Sequence, residues 1–227
     1  MARSYDQFCP MAAALDVVGE RWALLVVREL MLGSRSFTQL AAALTGIGTD
    51  ILTARLRSLE SAHVIERIGR GPRRSYALTP EGQALRRVLA ELAHWGAPRL
   101  SPPASADRVR PRTALTALML DAPKLAAELD GDYEIHCGED TARFAVAGGE
   151  LTLEPAARTD PDSRPTVIEL SAGGVRALTA GARTHSLRKS GDLTITGQKR
   201  RAAALLNSLA APPALAEAVH GRRAPAV

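Results

Sequence analysis

Thr45-Gly46-Ile47-Gly48-Thr49-Asp50-Ile51-Leu52-Thr53-Ala54-Arg55-Leu56-Arg57-Ser58-Leu59-Glu60 reads as a tight connection followed by a helix. Leu52, Leu56 and Leu59 recur at helical spacing and define a face to be buried, while Thr49, Thr53 and Arg57, four residues apart, lie on the opposite side. The helix is expected over about Thr49 to Ala62. Upstream, Ser36 caps a short helix through Leu44 that buries Phe37, Leu40 and Leu44. Before that, Leu15, Val18, Trp22, Leu25, Val26 and Leu30 give an apolar helical face from about Pro10 to Leu32, interrupted at Gly19. Downstream, Val64–Ile68 and Ser75–Leu78 have strand character and are joined by Gly69-Arg70-Gly71-Pro72-Arg73-Arg74, a hairpin with an arginine-rich tip. Thr79-Pro80-Glu81 then starts a helix through about Trp95: threonine caps, proline fits the first helical position, and the acid favours the positive end of the helix dipole.

Helix, turn, helix and basic hairpin form an arrangement in which the third helix enters a DNA major groove and the hairpin follows the phosphates. The charge distribution agrees with it. Between Arg55 and Arg87 arginines far outnumber the acids Glu60, Glu66 and Glu81, and the whole chain carries a formal +5. Thr49, Asp50, Thr53 and Arg57 are the groove-facing candidates, with Arg55 grouped with them as a DNA-binding cation. Arg70, Arg73 and Arg74 are expected to neutralise phosphates, which gives affinity and salt dependence but little sequence information. The helix toward Trp95 carries Leu85, Val88, Leu89, Leu92 and Trp95, more apolar surface than a small core needs, which points to a second subunit.

Cys9-Pro10, Ala14-Leu15-Asp16-Val17-Val18-Gly19, Arg21-Trp22, Phe37-Thr38-Gln39-Leu40, Gly46-Ile47, Leu52-Thr53, Arg55-Leu56, Leu59-Glu60 and Tyr76-Ala77-Leu78-Thr79-Pro80-Glu81-Gly82 together resemble HxlR-type winged-helix regulators, relatives of MarR, over about residues 5–96. The resemblance implies a homodimer on a pseudo-palindromic double-stranded operator. Gly48 stands where such proteins usually place a serine cap, Asp50 where a basic residue is common, and His63 where glycine is usual. Asp50 near DNA repels phosphate unless it accepts a hydrogen bond from cytosine N4. Cys9 lies at a helix start, where unpaired amides favour a thiolate, and some proteins of this type use a cysteine there to sense oxidants or electrophiles. Two readings of Cys9 stand: a redox sensor and a buried, inert thiol.

Composition limits the other possibilities. The 227 residues suffice for two domains, the 46% hydrophobic and 23% charged content is that of an ordinary soluble protein, and no stretch approaches the roughly 20 apolar residues of a membrane span. The N-terminus lacks a secretory plan, so a cytoplasmic protein without membrane contact is expected. Two distant cysteines and scattered histidines suggest neither disulfide framework nor metal site, and no cofactor, phosphate loop or nucleophile elbow is indicated; Asp130, Asp132 and Asp140 flank glycines as turn residues. No catalytic residue is proposed.

Beyond the Pro- and Ser-rich stretch around Pro98 and Ser105, a helical run extends from about Arg112 to Leu129, with Pro123 dividing it. Alternation follows in Tyr133/Ile135/Cys137, Ala142/Phe144/Val146 and Leu151/Leu153, then a strand at Thr166–Leu170, helices near Val175–Thr179 and Thr184–Lys189, a strand at Leu193–Thr196 and a last helix with Ala203, Leu206 and Leu209. Val175-Arg176-Ala177-Leu178, Gly181, Ser186-Leu187, Ser190-Gly191-Asp192-Leu193, Ile195-Thr196-Gly197 and Leu205-Leu206 resemble the C-terminal part of sterol-carrier-protein-like domains. That resemblance implies an apolar tunnel for a hydrophobic small molecule, with Leu118, Met119, Tyr133, Ile135, Phe144, Leu153, Leu178 and Leu187 as lining candidates. The fold class expected is therefore α+β: a winged helix-turn-helix domain (1–97), a linker (98–111), an α+β sterol-carrier-like domain with an antiparallel sheet (112–220) and a disordered tail (221–227). The function expected is a homodimeric, ligand-responsive repressor; the alternative is a lipid-carrier or drug-sequestering protein whose winged helix mainly dimerises.

Overall fold

The computed structural model describes residues 4–69, 71, 74–96, 99, 111–120, 122, 124–138, 140–153 and 164–210. The chain divides into two compact units, residues 1–89 and 90–227. Most of the expected linker and all of the expected tail lie outside the described residues.

In the first unit the long apolar run is two helices, α1 (Pro10–Val18) and α2 (Ala23–Leu30). Pro10 at the first helical position starts α1, and the Gly19 amide donates to the Leu15 carbonyl at 2.8 Å to close it. Between them Trp22 takes a left-handed backbone with φ 81°. α2 is the centre of the core, with Ala23, Val26, Val27 and Leu30 buried. α3 (Phe37–Ala43) begins at a capping box, in which Ser36 Oγ accepts from the Gln39 amide at 3.3 Å and Gln39 Oε1 accepts from the Ser36 amide at 2.9 Å. α4 (Thr49–Ser61) buries Leu52, Leu56 and Leu59 completely.

The end of α4 explains His63. The His63 amide donates to Glu60 O at 3.0 Å and the Val64 amide to Leu59 O at 2.9 Å, the two bonds of a Schellman termination. His63 therefore occupies the left-handed position, φ 56°, where glycine is at ease. The hairpin β1 (Ile65–Ile68) and β2 (Ser75–Leu78) is antiparallel with Ile65 opposite Leu78, and Arg35 bridges to Tyr76 on the other side of β2. Thr79 caps α5 (Pro80–Ala84), accepting from the Gly82 amide at 3.1 Å. The helix expected to run on to Trp95 breaks at Leu85, and α6 (Arg86–Gly96) follows, its residues from Ala90 on belonging to the second unit.

The second unit contains α7 (Pro111–Leu120), a single 3-10 turn at Ala127–Leu129, strands β3 (Gly131–Cys137), β4 (Asp140–Ala147), β5 (Glu150–Leu153) and β6 (Thr166–Leu170), helices α8 (Ala172–Thr179) and α9 (Thr184–Ser190), β7 (Leu193–Thr196) and α10 (Lys199–Leu209). Residues 112–129 are thus not one divided helix; Pro123 lies outside the described residues. The sheet order is β5-β4-β3-β6-β7. It departs from the expected antiparallel sheet at one pair: β3 and β6 run parallel, Tyr133 opposite Thr166, because the chain leaves the β5 edge and re-enters beyond β3. The alternating apolar residues share one face, on which Tyr133 stacks over Phe144 at 5.2 Å, and α8 and α10 pack against β6. Asp130 accepts from the Gly148 amide at 2.9 Å and so fastens the β4–β5 turn.

Candidate nucleic-acid interface

α4 offers its outward surface through Asp50, Ala54, Arg57 and Ser61, all exposed, opposite the buried leucines. Thr49, also exposed, opens the helix beside them, and Gly48 serves as N-cap with an extended backbone and no side-chain bond. Thr53 is half-buried at the flank, and its hydroxyl donates to the Thr49 carbonyl at 2.8 Å. Its oxygen lone pairs and methyl remain to meet a partner, but the proton is engaged within the helix. The step of 400° per four residues carries Thr49, Thr53 and Arg57 progressively round the helix, so the spacing that grouped them in sequence does not keep them on one line.

Arg55 is placed elsewhere. Its guanidinium lies 3.5 Å from Glu20 with a side chain only 20% exposed, on the flank of α4 nearest the α1–α2 junction. That contact ties α4 to the scaffold and sets Arg55 apart from the outward-facing Asp50 and Arg57, leaving its assignment as a DNA-binding cation a proposal. Arg67, one of the cations of the basic segment, is likewise committed, 2.7 Å from Glu60 and lying over the Tyr76 ring. At the hairpin, Arg74 is exposed and its amide donates to Gly71 O at 3.2 Å. Arg70 and Arg73 lie outside the described residues.

The sequence reading missed a cleft of about 770 Å³ whose walls include Tyr5, Leu15, Asp16, Glu20 and Arg55, with Ser4 Oγ donating to Asp16 at 2.9 Å. No sequence signal marks it, since its walls come from the N-terminal segment, α1 and α4. Cys9 is half-buried immediately before α1 and makes no capping bond through its sulfur. Cys137 is buried, and burial, followed by the Asp140 carboxylate, pushes its thiol pKa up. Both thiols are free.

The eight lining candidates of the second unit, Leu118, Met119, Tyr133, Ile135, Phe144, Leu153, Leu178 and Leu187, are all buried, none more than 5% exposed. They belong to the buried layer of the second unit. Tyr133 uses its hydroxyl within that layer, donating to Leu129 O at 2.5 Å. Among the described residues no group of acids, histidines and cysteines could hold a metal ion, and no helix is long and apolar enough to cross a membrane.

Comparison with known proteins finds relatives of the N-terminal part of the chain. The family model described as HxlR-like helix-turn-helix matches residues 17–103. The HTH-type transcriptional regulator YvaP of Bacillus subtilis is 35% identical over 101 residues, covering 43% of this chain and 94% of YvaP. Among solved structures, quinone-bound YodB from B. subtilis is 32% identical and covers 39% of this chain and 97% of its own, with a TM-score of 0.35. A MarR-family regulator from Enterococcus faecalis is 37% identical, covering 42% and 89%, with a TM-score of 0.37. The relatives are transcriptional regulators and not enzymes. The chain belongs to the HxlR-like helix-turn-helix family and is a transcriptional regulator of that type.

Proposed function

We propose that this regulator is a cytoplasmic homodimeric repressor that reads a pseudo-palindromic operator through Thr49, Asp50 and Arg57, with Thr53 at the edge of the contact. The single observation that carries this reading is the unburied outward surface of α4, which presents Thr49, Asp50, Arg57 and Ser61 opposite a fully buried leucine face. Asp50 is suited to accept from cytosine N4, and Arg57 to donate to guanine O6 and N7. Arg74, with Arg70 and Arg73 of the same hairpin tip, is assigned to phosphates, where it adds salt-dependent affinity. Dimerisation is assigned to apolar side chains left exposed on α1 and α6: Met11 and Leu15 on the first, and Val88, Leu92 and Trp95 at helical spacing on the second.

Selection of DNA fragments by the purified chain, followed by sequencing, tests the reading. A palindromic motif is expected, and Arg57→Ala should weaken it by about 1–3 kcal/mol at one position of each half-site only. Uniform, sequence-independent retention refutes the assignment of base reading to α4.

Two finer assignments complete the proposal. Cys9 is the thiol that an oxidant or electrophile modifies, supported by its half-buried place before α1. The second unit holds a hydrophobic effector between sheet and helices, among the side chains of Leu118, Met119, Phe144 and their neighbours, supported by the sterol-carrier-like sequence of its last third. Calorimetric titration of a long-chain fatty acid and of a sterol, with and without operator DNA, tests the second assignment. Linkage requires that DNA and effector change each other's affinity by the same factor. Equal affinity in both titrations removes the coupling, and no binding of either probe removes the pocket.

A further inference from the structure

Charge in the second unit is sorted by layer. Every Arg, Lys, Asp and Glu on α7, α8, α9 and α10 is a cation, including Arg176, Arg188, Lys189, Lys199, Arg200 and Arg201. The strands carry the reverse bias, with Asp132, Glu134, Asp140, Glu150 and Glu169 against Arg143. An ordinary solvated surface mixes the two signs, so four helices without a single carboxylate, with only Glu128 of the 3-10 turn exposed beside α10, point outward to an anionic partner.

The cations are available. Arg188, Lys189, Lys199 and Arg200 are exposed, and among the described residues none has an acidic partner. Asp192, the one acid in the chain between Arg176 and Arg201, is engaged by the hydroxyls of Ser171 and Ser190, which hold its carboxyl below the usual range. Arg201 is committed, donating to Asp130 O at 2.7 Å.

Their arrangement selects the kind of anion. Arg188 and Lys189 stand at the end of α9, before β7 begins, and Lys199 and Arg200 open α10, after β7 ends. The strand between them rises roughly 13 Å, so the two pairs sit at separate places along the chain, an arrangement suited to a partner that presents several phosphates, such as a duplex. Large exposed apolar side chains, which anchor a protein in lipid, are lacking on α7 to α10 among the described residues.

We propose that the helical layer of the second unit is an additional, sequence-independent surface for the phosphate backbone of double-stranded DNA. The inference rests on the reading of the first unit as the base-reading part.

The test uses the full chain, with anisotropy of a selected duplex and of a random duplex measured across a salt series. Replacing Arg188, Lys189, Lys199 and Arg200 together by Gln should make the log–log salt slope shallower by about 2–4, at about 0.9 per lost phosphate contact, with the same loss on both duplexes. The pair Lys189→Gln with Arg200→Gln, which disturbs the fold less, should remove about half of that. Unchanged slopes in both variants overturn the proposal. Arg57→Ala with Arg74→Ala separates the two readings: if these weaken binding while the helix variants do not, only the present inference falls, and if neither set has an effect, the DNA reading falls with it. Sedimentation with phosphatidylglycerol vesicles is the third arm. Loss of vesicle retention in the fourfold variant, with an unchanged DNA slope, assigns the surface to lipid and overturns the proposal.

Discussion

Gly82→Ala sets two effects of opposite sign against each other. Gly82 lies in the first turn of α5, and by helix propensity alone alanine would stabilise the chain by up to about 1 kcal/mol. The space forbids it: a Cβ at Gly82 would stand 2.1 Å from the Val64 carbonyl oxygen and 3.1 Å from Leu78 Cδ2. A carbon normally approaches such an oxygen to about 3.3 Å, so α5 and the backbone before β1 must separate by roughly 1 Å. That oxygen also accepts from the Thr79 amide at 3.1 Å, while the Thr79 hydroxyl beside it donates to the His63 carbonyl at 2.5 Å, so the displacement weakens the junction that seats the hairpin. Overpacking at about 1–3 kcal/mol and one hydrogen bond at about 1 kcal/mol outweigh the propensity gain, leaving a net loss of about 1–3 kcal/mol. Scanning calorimetry should record the transition of the first unit lowered by at least about 4 °C, using roughly 4 °C per kcal/mol for a domain of this size. Gly96→Ala shows helix propensity acting alone, because a Cβ there meets nothing, so a small stabilisation of the second unit, which holds Gly96, is expected. A Gly82→Ala chain that melts at or above the parent temperature would refute the close-approach argument.

His63→Gly should raise stability by about 1 kcal/mol, since the position already has φ 56° and its amide bond to Glu60 O does not depend on the side chain; an unchanged denaturant midpoint would count against it. Burial pushes the Tyr133 phenol up to about 12 from its ordinary 10.0, partly offset by Arg201. A raised phenol pKa means that the folded chain holds its proton longer, so this stabilisation is complete below the unfolded value near 10 and is lost as pH climbs toward 12. Alkaline melts of the parent should decline across that window more steeply than those of Tyr133→Phe, and parallel curves would remove Tyr133 from the account. At neutral pH an alkylating reagent should modify Cys9 and spare Cys137 until the second unit unfolds, as peptide mapping by mass spectrometry would read; equal labelling would contradict the burial difference.

Local chemistry made much of this fold readable before any coordinates. Ser36 with Gln39, Thr79 before Pro80, and the strict alternation in Tyr133–Cys137 each specify their own conformation through neighbours a few residues away. The breaks were harder. Leu85 carries neither proline nor glycine to announce the end of α5, and Trp22 adopts a left-handed backbone that its residue type disfavours, so periodicity ran through both. Arg55 illustrates the limit at the candidate site. Its attachment to Glu20 is a contact between elements distant in sequence, and charge alone could not separate it from Arg57 two positions on. The parallel pairing of β3 with β6 was invisible for the same reason, because alternation defines a face but not a neighbour.

That parallel pair also governs how the second unit is born on the ribosome. The meander β3-β4-β5 emerges first and can zip up through its own hairpins, yet one edge of β3 stays open until Thr166–Leu170 arrives, since β6 is its only neighbour on that side. An open edge flanked by Tyr133 and Ile135 invites pairing with another nascent chain. Translation through the segment between Leu153 and Thr166 is therefore the hazardous interval, and a message truncated within it should yield insoluble product, whereas one ending before Gly131 leaves no strand of this sheet to aggregate.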